Sequence, residues 1–295
     1  MRSVLSGAAV SACVVLGTAC TVTGDSPIHI VREEKRFTVA GAPEVRLTTF
    51  DGSIDVRSWD RPEVLVEVEK RGPTKASIES LEIVTGQKGN VVELEVKRAR
   101  RETLASVGFH RSPSARLIVL LPRRTDLRAR TSDGSIRLEG VQGRIELRTG
   151  DGSIRVTDVS GELTFDTGDG SVTVDDAAGR LVVDTGDGGV SVSGKLASVR
   201  LRTRDGAIIY RAQPGTAMDD DWDISTGDGS VSLYLPVDLS AQVDAQTGDG
   251  AIRDELRIAG GDDGDRRTLR GRLGASGGRV IRVRTGDGTI RLKPH

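Results

Sequence analysis

Hydrophobic and polar residues alternate along most of the chain, and the alternation is clearest around the segment LRTGDGSIRV. Ile145 and Leu147 stand four and two residues before Thr149, and Ile154 and Val156 stand five and seven residues after it. A period of two on Val, Ile and Leu is typical of β-strands with one buried face. No long amphipathic helix is predicted, and we expect an all-β fold.

A hexapeptide built on Thr-x-Asp-Gly recurs nine times and separates these strands. Its copies begin at Thr49, Thr131, Thr149, Thr167, Thr185, Thr203, Thr226, Thr247 and Thr285. Between residues 131 and 203 the copies follow one another every 18 residues, and the later steps are 23, 21 and 38 residues. A short fixed period of this kind is the signature of a solenoid.

Each repeat predicts two strands joined by a turn at Thr-x-Asp-Gly, which we call the TGDG corner. The apolar positions that flank the corner lie an odd number of positions apart, seven, so the alternation must break there, and we expect positive φ angles at its glycines. Stacked coils must all turn at the same place, whereas the hairpin turns of an antiparallel meander need not be alike. We therefore expect a parallel β-helix or solenoid with coils of about 18 residues, and an antiparallel β meander or roll is the alternative. Nine corners at the usual strand spacing predict a rod of about 40 Å or more.

The predicted organisation has three parts. Residues 1–19 are a signal peptide, residues 20–35 are a linker after a lipidated cysteine, and residues 36–295 are the solenoid. Within the solenoid, residues 36–130 are irregular, residues 131–213 are regular, and residues 214–295 hold irregular coils and a C-terminal coil. The copy from Thr285 is last in the sequence, and we expect it to have a neighbour on one side only.

The first twenty residues predict export and a lipid anchor. Arg2 precedes an uncharged, largely apolar stretch that ends at Cys20 and is too short to span a membrane. The ending LGTAC resembles a lipobox, although Gly17 stands where a lipobox usually has Leu, which here comes one place early at Leu16. Cys13 would leave with the signal peptide, so the mature chain would carry a single thiol at its first residue. We expect Cys20 to be lipidated and to hold the protein to a membrane of a bacterial envelope, on its periplasmic or surface side.

Composition restricts the core and the partners. Only 3% of residues are aromatic, so aliphatic side chains must fill the core, and a formal net charge of −1 argues against a general nucleic-acid binder. Residues 97–148 carry 13 Lys and Arg against 5 Asp and Glu, whereas residues 149–265 carry 9 against 23. This separation indicates differently solvated faces, or a polar rod that docks head to tail or contacts a charged envelope polymer.

The corner aspartates have two interpretations. They are Asp51, Asp133, Asp151, Asp169, Asp187, Asp205, Asp228, Asp249 and Asp287. The first interpretation is structural, with each carboxylate accepting hydrogen bonds from the amides of its own corner as an Asx-turn. The second is a calcium ladder from residues 133 to 205, although no stretch fits the calcium-binding nonapeptide pattern. We expect the structural role, with no metal or cofactor, and we expect each corner threonine hydroxyl to bond to a neighbouring coil.

An enzyme would need acids, bases or metal ligands outside the repeat. The three histidines, His29, His110 and His295, lie far apart in the sequence, and the common hydrolase, zinc and nucleotide motifs are absent. The best candidate cluster is MDDDWD, which contains Asp219, Asp220, Asp221, Trp222 and Asp223. Its structural interpretation is an acidic surface loop with Trp222 in the core. We predict that the protein is not an enzyme and has no catalytic residues.

Four features of the sequence occur together: the lipoprotein-like start, the LRTGDGSIRV strands, the Leu-Pro element in LIVLLP and VSLYLP, and the ending GGRVIRVRTGDGTIRL. In these features the chain resembles the bacterial putative-adhesin family of β-strand-repeat domains of unknown function, and the resemblance covers the chain from about Phe37 onwards. It implies a right-handed β-helix-like solenoid on the cell envelope, without catalytic residues. The function it implies is a structural role or surface contact, and the family label names no receptor. We expect an envelope polysaccharide or protein as partner. A carbohydrate-binding or polysaccharide-cleaving β-helix is the alternative.

Overall fold

A computed structural model describes residues 28–99, 112–260, 266–275 and 278–295. The described chain forms 21 strands and one five-residue helix, so the predicted all-β class is confirmed. The predicted signal peptide, Cys20 and His110 lie outside the described residues.

The first nine strands precede and open the regular region. They are β1 His29–Thr38, β2 Glu44–Thr48, β3 Ile54–Trp59, β4 Glu63–Gly72, β5 Leu81–Lys88, β6 Val91–Arg98, β7 Ser114–Pro122, β8 Asp126–Thr131 and β9 Ile136–Glu139. The helix α1 Lys75–Glu79 lies between β4 and β5, and Thr74 caps its N-terminus by accepting the N–H of Ser77.

The remaining twelve strands continue the repeat. They are β10 Gln142–Thr149, β11 Ile154–Thr167, β12 Val172–Thr185, β13 Val190–Thr203, β14 Ile208–Ala212, β15 Trp222–Thr226, β16 Val231–Leu235, β17 Ala241–Thr247, β18 Ile252–Asp254, β19 Thr268–Leu273, β20 Val280–Thr285 and β21 Ile290–Pro294. The strands β11, β12 and β13 each have 14 residues and pass through a second corner, opposite the TGDG corner.

Successive coils of the repeat pair in parallel. Thr149 lies opposite Thr167, which lies opposite Thr185, and Thr185 lies opposite Thr203. Equal corners therefore stack on one another, with a rise of one strand spacing, about 4.8 Å, per coil. The parallel solenoid with coils of about 18 residues is confirmed, and the parallel register excludes the antiparallel meander.

The order of coils in space differs from their order in the sequence at the C-terminal end. The strand β20 pairs in parallel with β15 on one side and with β17 on the other, so Thr285 lies opposite both Thr226 and Thr247. On the other face, β21 likewise lies between β16 and β18. The prediction that the copy from Thr285 has a neighbour on one side only is wrong, because this copy is inserted between two earlier ones.

Charge pairing on one face of the stack favours this insertion, although on the other face Arg291 of β21 lies opposite Arg253 of β18. Across the exposed face, Asp223 of β15 lies opposite Arg282 of β20, which lies opposite Asp244 of β17. Asp244 in turn lies opposite Arg270 of β19, so the signs of the charges alternate across four strands. If β17 paired directly with β15 in the same register, Asp244 would lie opposite Asp223, and like charges directly opposite each other destabilise a sheet.

The N-terminal end shows the same departure from chain order. The coil of β2 and β3 lies between the coil of β8 and β9 and an outer coil of β6 and β7, which lacks a TGDG corner. Antiparallel strands close this end, with β5 on β6, β4 on β7, and β1 on β4. At the other end β19 pairs antiparallel with β17. The regions predicted as irregular are therefore the two ends of the stack, where antiparallel strands cover it.

The first strand extends into the segment that we predicted to be a linker. It begins at His29, which lies opposite Gly72 of β4, whereas the linker was predicted to extend to residue 35. The side chains of β1 are half-buried or exposed throughout, so the strand shows little of the apolar alternation on which the prediction relied. Backbone pairing with β4 forms the strand instead.

The core lies between the two faces of each coil and consists mainly of Val, Leu and Ile. The largest fully buried side chains are Trp222, Tyr210 and Phe165. The rings of Tyr210 and Trp222 meet edge to face, with 5.2 Å between centroids. The prediction that Trp222 belongs to the core is confirmed.

Candidate functional site

Threonine holds each TGDG corner together. Thr149 donates its hydroxyl to the carbonyl oxygen of Gly134 in the neighbouring coil at 2.9 Å, and it accepts the N–H of Gly152 at 3.2 Å. The bond to the neighbouring coil recurs at Thr131, Thr167, Thr185, Thr203, Thr226, Thr247 and Thr285. The prediction that these hydroxyls bond between coils is confirmed.

The corner glycines are required by the close approach of neighbouring coils. A Cβ atom on Gly170 would lie 2.0 Å from the carbonyl oxygen of Gly152, although the φ of Gly170 is outside the left-handed region. The expected positive φ occurs in the TGDG corners only at Gly52, with φ 142°. It occurs mainly at the second corner, where Gly161 has φ 122° and Asp158 has φ 52°. The prediction of positive φ is therefore wrong for the other described TGDG corners.

The corner aspartates form a row along one edge of the stack, which we call the aspartate ladder. In spatial order its members are Asp51, Asp133, Asp151, Asp169, Asp187, Asp205, Asp228, Asp287 and Asp249. Eight of these side chains are exposed, and Asp51 is half-buried. Within the described chain, none of these carboxylates accepts an N–H of its own corner. The hydrogen bond predicted for the aspartate is made instead by threonine and by backbone groups, such as Gly150 N–H to Ser132 O at 2.6 Å.

Repulsion along the aspartate ladder is only partly compensated. Like charges 4.8 Å apart cost about 1 kcal/mol per pair in water. Arg204 lies 3.4 Å from Asp187, and Arg267 lies 3.9 Å from Asp249. Burial raises the pKa of Asp51, and the neighbouring carboxyl of Asp133 raises it further. No group of three or more described acids, histidines or cysteines is arranged to hold a metal ion.

The acids of the MDDDWD segment are separated by their partners. Asp221 accepts the N–H of Val280 at 2.9 Å and pairs with Arg282 at 3.1 Å. The bond from Val280 and the contact with Arg282 hold the pKa of Asp221 below its ordinary value. A general acid requires the opposite shift at neutral pH. Asp221 therefore serves to attach β20 to the neighbouring coil.

Its neighbours also point toward arginines on other strands. Asp223 pairs with Arg202 at 3.0 Å, and Asp220 lies 3.5 Å from Arg180. For Asp219 the structure shows a backbone contact, from its N–H to the carbonyl oxygen of Ala197 at 3.0 Å. Of the five residues that sequence analysis grouped as a candidate catalytic cluster, Trp222 thus lies in the core, Asp220, Asp221 and Asp223 form separate ion pairs, and Asp219 makes a backbone contact.

Sequence reasoning also missed the two arginines that pair with Asp244 of β17. Arg284 donates to the carboxylate of Asp244 at 2.6 Å, and Arg270 donates to the same carboxylate at 3.3 Å. Burial alone would raise the pKa of Asp244, but the bonds from the two arginines outweigh it and lower the pKa. The alternation of Arg with Val in GGRVIRVRTGDG was the available signal, although it does not reveal which strand lies beside it.

The two described histidines do not meet. His29 begins β1 at the N-terminal end of the stack, whereas His295 follows β21 and donates its N–H to Leu235. No helix in the described part of the chain is long and apolar enough to cross a membrane.

Several solved structures are similar to the chain at low identity. One is described as a putative lipid binding protein from Parabacteroides distasonis; it is 13% identical, with a TM-score of 0.48, covering 88% of this chain and 96% of that chain. Another is a putative adhesin from Parabacteroides distasonis. It is 12% identical, with a TM-score of 0.37, and the match covers 91% of this chain and 98% of that chain. A putative cell adhesion protein from Clostridium sporogenes is 15% identical, with a TM-score of 0.32, and the match covers 90% of this chain and 100% of that chain.

No curated protein matches the chain. The family model described as Toastrack DUF4097 matches residues 43–293, which include every copy of the hexapeptide. This range begins just before β2 and ends in β21, so it contains the whole stack of parallel coils. The chain belongs to the Toastrack DUF4097 family.

Proposed function

We propose that the protein is a non-enzymatic, envelope-anchored β-solenoid that presents an extended charged surface for contact with other envelope components. The observation that carries this proposal is the continuous stack of coils whose outward side chains include many charged residues, several of them in cross-strand ion pairs, such as Arg202 with Asp223 and Arg284 with Asp244. Such a surface is rigid and polar, which suits adhesion or a structural role. The partner we propose is an envelope polysaccharide or protein.

The lipid anchor is the second element of the proposal. Cys20 would be the first residue of the mature chain, and β1 begins nine residues later at His29. Nine extended residues reach about 30 Å at most, so the anchor keeps the end covered by β1, β4 and β5 near the membrane. The coil of β17 and β18, with β19 on its outer side, would then lie at the far end of the rod.

Replacement of Cys20 by Ser tests the anchor. We expect the wild-type protein in the membrane fraction, labelled by a fatty-acid analogue, and Cys20→Ser in the soluble exported fraction without label. Cys13→Ser is the matched control, because Cys13 lies inside the predicted signal peptide and its loss should change neither result. Unchanged membrane association of Cys20→Ser would contradict the proposal.

A further inference from the structure

An open groove of about 560 Å³ lies on the outer face at the C-terminal end of the stack. It crosses β20, β17 and β19 and is bordered by the segment around Ala259. Its charged lining residues are Arg270, Arg272, Arg282 and Asp244. A volume of this size is within the usual range for small-molecule sites, roughly 300 to 1,000 Å³.

The charges in and beside the groove do not balance. Asp244 is already paired with Arg284 and Arg270, and Arg282 is paired with Asp221. Within the described residues Arg272 has no carboxylate partner and is exposed. Among the described residues, four guanidinium groups thus lie beside three carboxylates, those of Asp221, Asp223 and Asp244, and each arginine keeps N–H donors beyond those used in its pair. This excess of positive charge contrasts with the acidic residues 149–265, which supply one of the three strands.

The chemistry of arginine selects the class of ligand. A planar guanidinium matches the two oxygens of a carboxylate or phosphate and binds them through parallel charge-assisted hydrogen bonds. Arg270 and Arg272 lie two residues apart on β19, and Arg282 lies two strands away on β20, with β17 between them. Two residues along a strand span about 7 Å and two strand spacings span about 10 Å, so the three arginines can contact successive charged groups of one extended ligand.

The backbone at the border of the groove argues against a peptide ligand. An extended peptide usually binds by adding a strand to a free sheet edge. At Arg272 this edge is occupied, because its N–H donates to Ala259 O at 2.9 Å and it accepts the N–H of Ala259 at 3.1 Å. Among the described residues that line the groove, none is aromatic, and Val243 and Val280 form no large apolar pocket that could hold a peptide side chain.

We propose that this groove binds an acidic glycan, with Arg270, Arg272 and Arg282 contacting its carboxylate or phosphate oxygens. This inference names a partner class for the proposed surface function, but it does not depend on the lipid anchor. The groove lies at the end of the stack farthest from β1.

Calorimetric titration of the mature chain carrying Cys20→Ser tests the groove with trigalacturonate as the probe. Its fully methyl-esterified form is the uncharged control, and triglutamate and inorganic phosphate are the alternative probes. We expect trigalacturonate to bind, its ester not to bind, and triglutamate to bind at least tenfold more weakly. Inorganic phosphate should compete only weakly, because it can contact one arginine pair at a time.

Arg272→Gln should weaken binding of trigalacturonate about tenfold or more, since it removes one charge-assisted contact. Arg253→Gln is the matched control, because Arg253 lies exposed on β18 at the same end but on the opposite face. Both variants should keep the wild-type melting temperature, which separates loss of the site from loss of the fold.

Absence of binding, equal binding of the ester or of triglutamate, or equal losses in the two variants would overturn the proposal. Failure of Cys20→Ser to leave the membrane would instead concern only the anchor.

Discussion

Thr247 donates its hydroxyl to the carbonyl oxygen of Gly288 over 2.8 Å, although 41 residues separate them in the sequence. Thr285 makes the equivalent bond to Gly229 at 2.7 Å. The last copy of the repeat therefore bonds to the two copies that precede it in the sequence, and it separates them in space. The inserted strands β20 and β21 therefore bond to coils on both sides at the C-terminal end of the stack, where the groove lined by Arg270, Arg272 and Arg282 lies.

Loss of a corner hydroxyl should destabilise the fold. In Thr149→Val the carbonyl of Gly134 and the N–H of Gly152 lose a buried partner, so we expect the free energy of unfolding to fall by about 1–3 kcal/mol. Thr164→Val is the control, because Thr164 lies exposed on a strand of the same stack. Chemical denaturation measures both, and equal effects would contradict the role assigned to the hydroxyl.

The corner glycines should not tolerate even one methyl group. In Gly170→Ala the new Cβ would lie 2.0 Å from the carbonyl oxygen of Gly152, so coils must move apart, and we expect a loss of about 1–3 kcal/mol or more. Gly86→Ala on the edge strand β5 is the control, because its Cβ would have no atom within 4 Å. Urea denaturation of the two variants should show a loss at residue 170 only. An unaffected Gly170→Ala would mean that coils are not in close contact at the corner.

The raised pKa of Asp51 predicts a pH-dependent cost. Burial and the carboxyl of Asp133 disfavour the ionised form in the folded state, so the folded protein binds this proton more tightly than the unfolded chain does. At neutral pH the charged Asp51 therefore destabilises the fold, and this cost disappears as the pH falls toward the ordinary carboxylate value of about 3.9.

Asp51→Asn should accordingly be more stable than the wild type at pH 7, and the difference should shrink in acid. Asp133→Asn should give a gain of the same sign, because it removes the neighbouring charge. Denaturant titrations between pH 4 and pH 7 measure both differences. A variant at Asp51 that is less stable than the wild type at pH 7 would contradict this explanation.

The aspartate ladder should not depend on calcium. The described acids are not grouped as metal ligands, and the corners are held by threonine and backbone bonds. We expect the melting temperature to be the same in millimolar calcium and in chelator. A rise of several degrees with calcium would reveal a ligand that favours the folded state by mass action.

The regular part of the fold was predictable because its signal is local. Alternation around Thr149 and the 18-residue period define coils, and equal corners require stacking. Burial of Trp222 also follows from its phase within the alternation. The hydroxyl bonds of the threonines were predictable because a polar group in phase with buried residues needs a partner.

The order of the coils and the arginine groove were not predictable, because they depend on pairing between distant strands. No local pattern around Arg282 predicts that it lies between Asp223 of β15 and Asp244 of β17. The role of glycine was misjudged for a similar reason. A turn glycine suggests positive φ, whereas at Gly170 the requirement comes from the carbonyl of Gly152 in the neighbouring coil.

Disulfide cross-linking tests the insertion of the last coil most directly. Arg291 of β21 lies opposite Ser232 of β16 on one side and Arg253 of β18 on the other. Adjacent strands lie about 4.8 Å apart, within the Cα range for a disulfide, whereas strands two places apart lie about 9.6 Å apart, beyond it. In a chain carrying Cys20→Ser, we expect the pair Ser232→Cys with Arg291→Cys to oxidise to a cross-link, and the pair Ser232→Cys with Arg253→Cys to remain reduced. Cross-linking of the second pair but not the first would show that the coils stack in sequence order and would contradict the account.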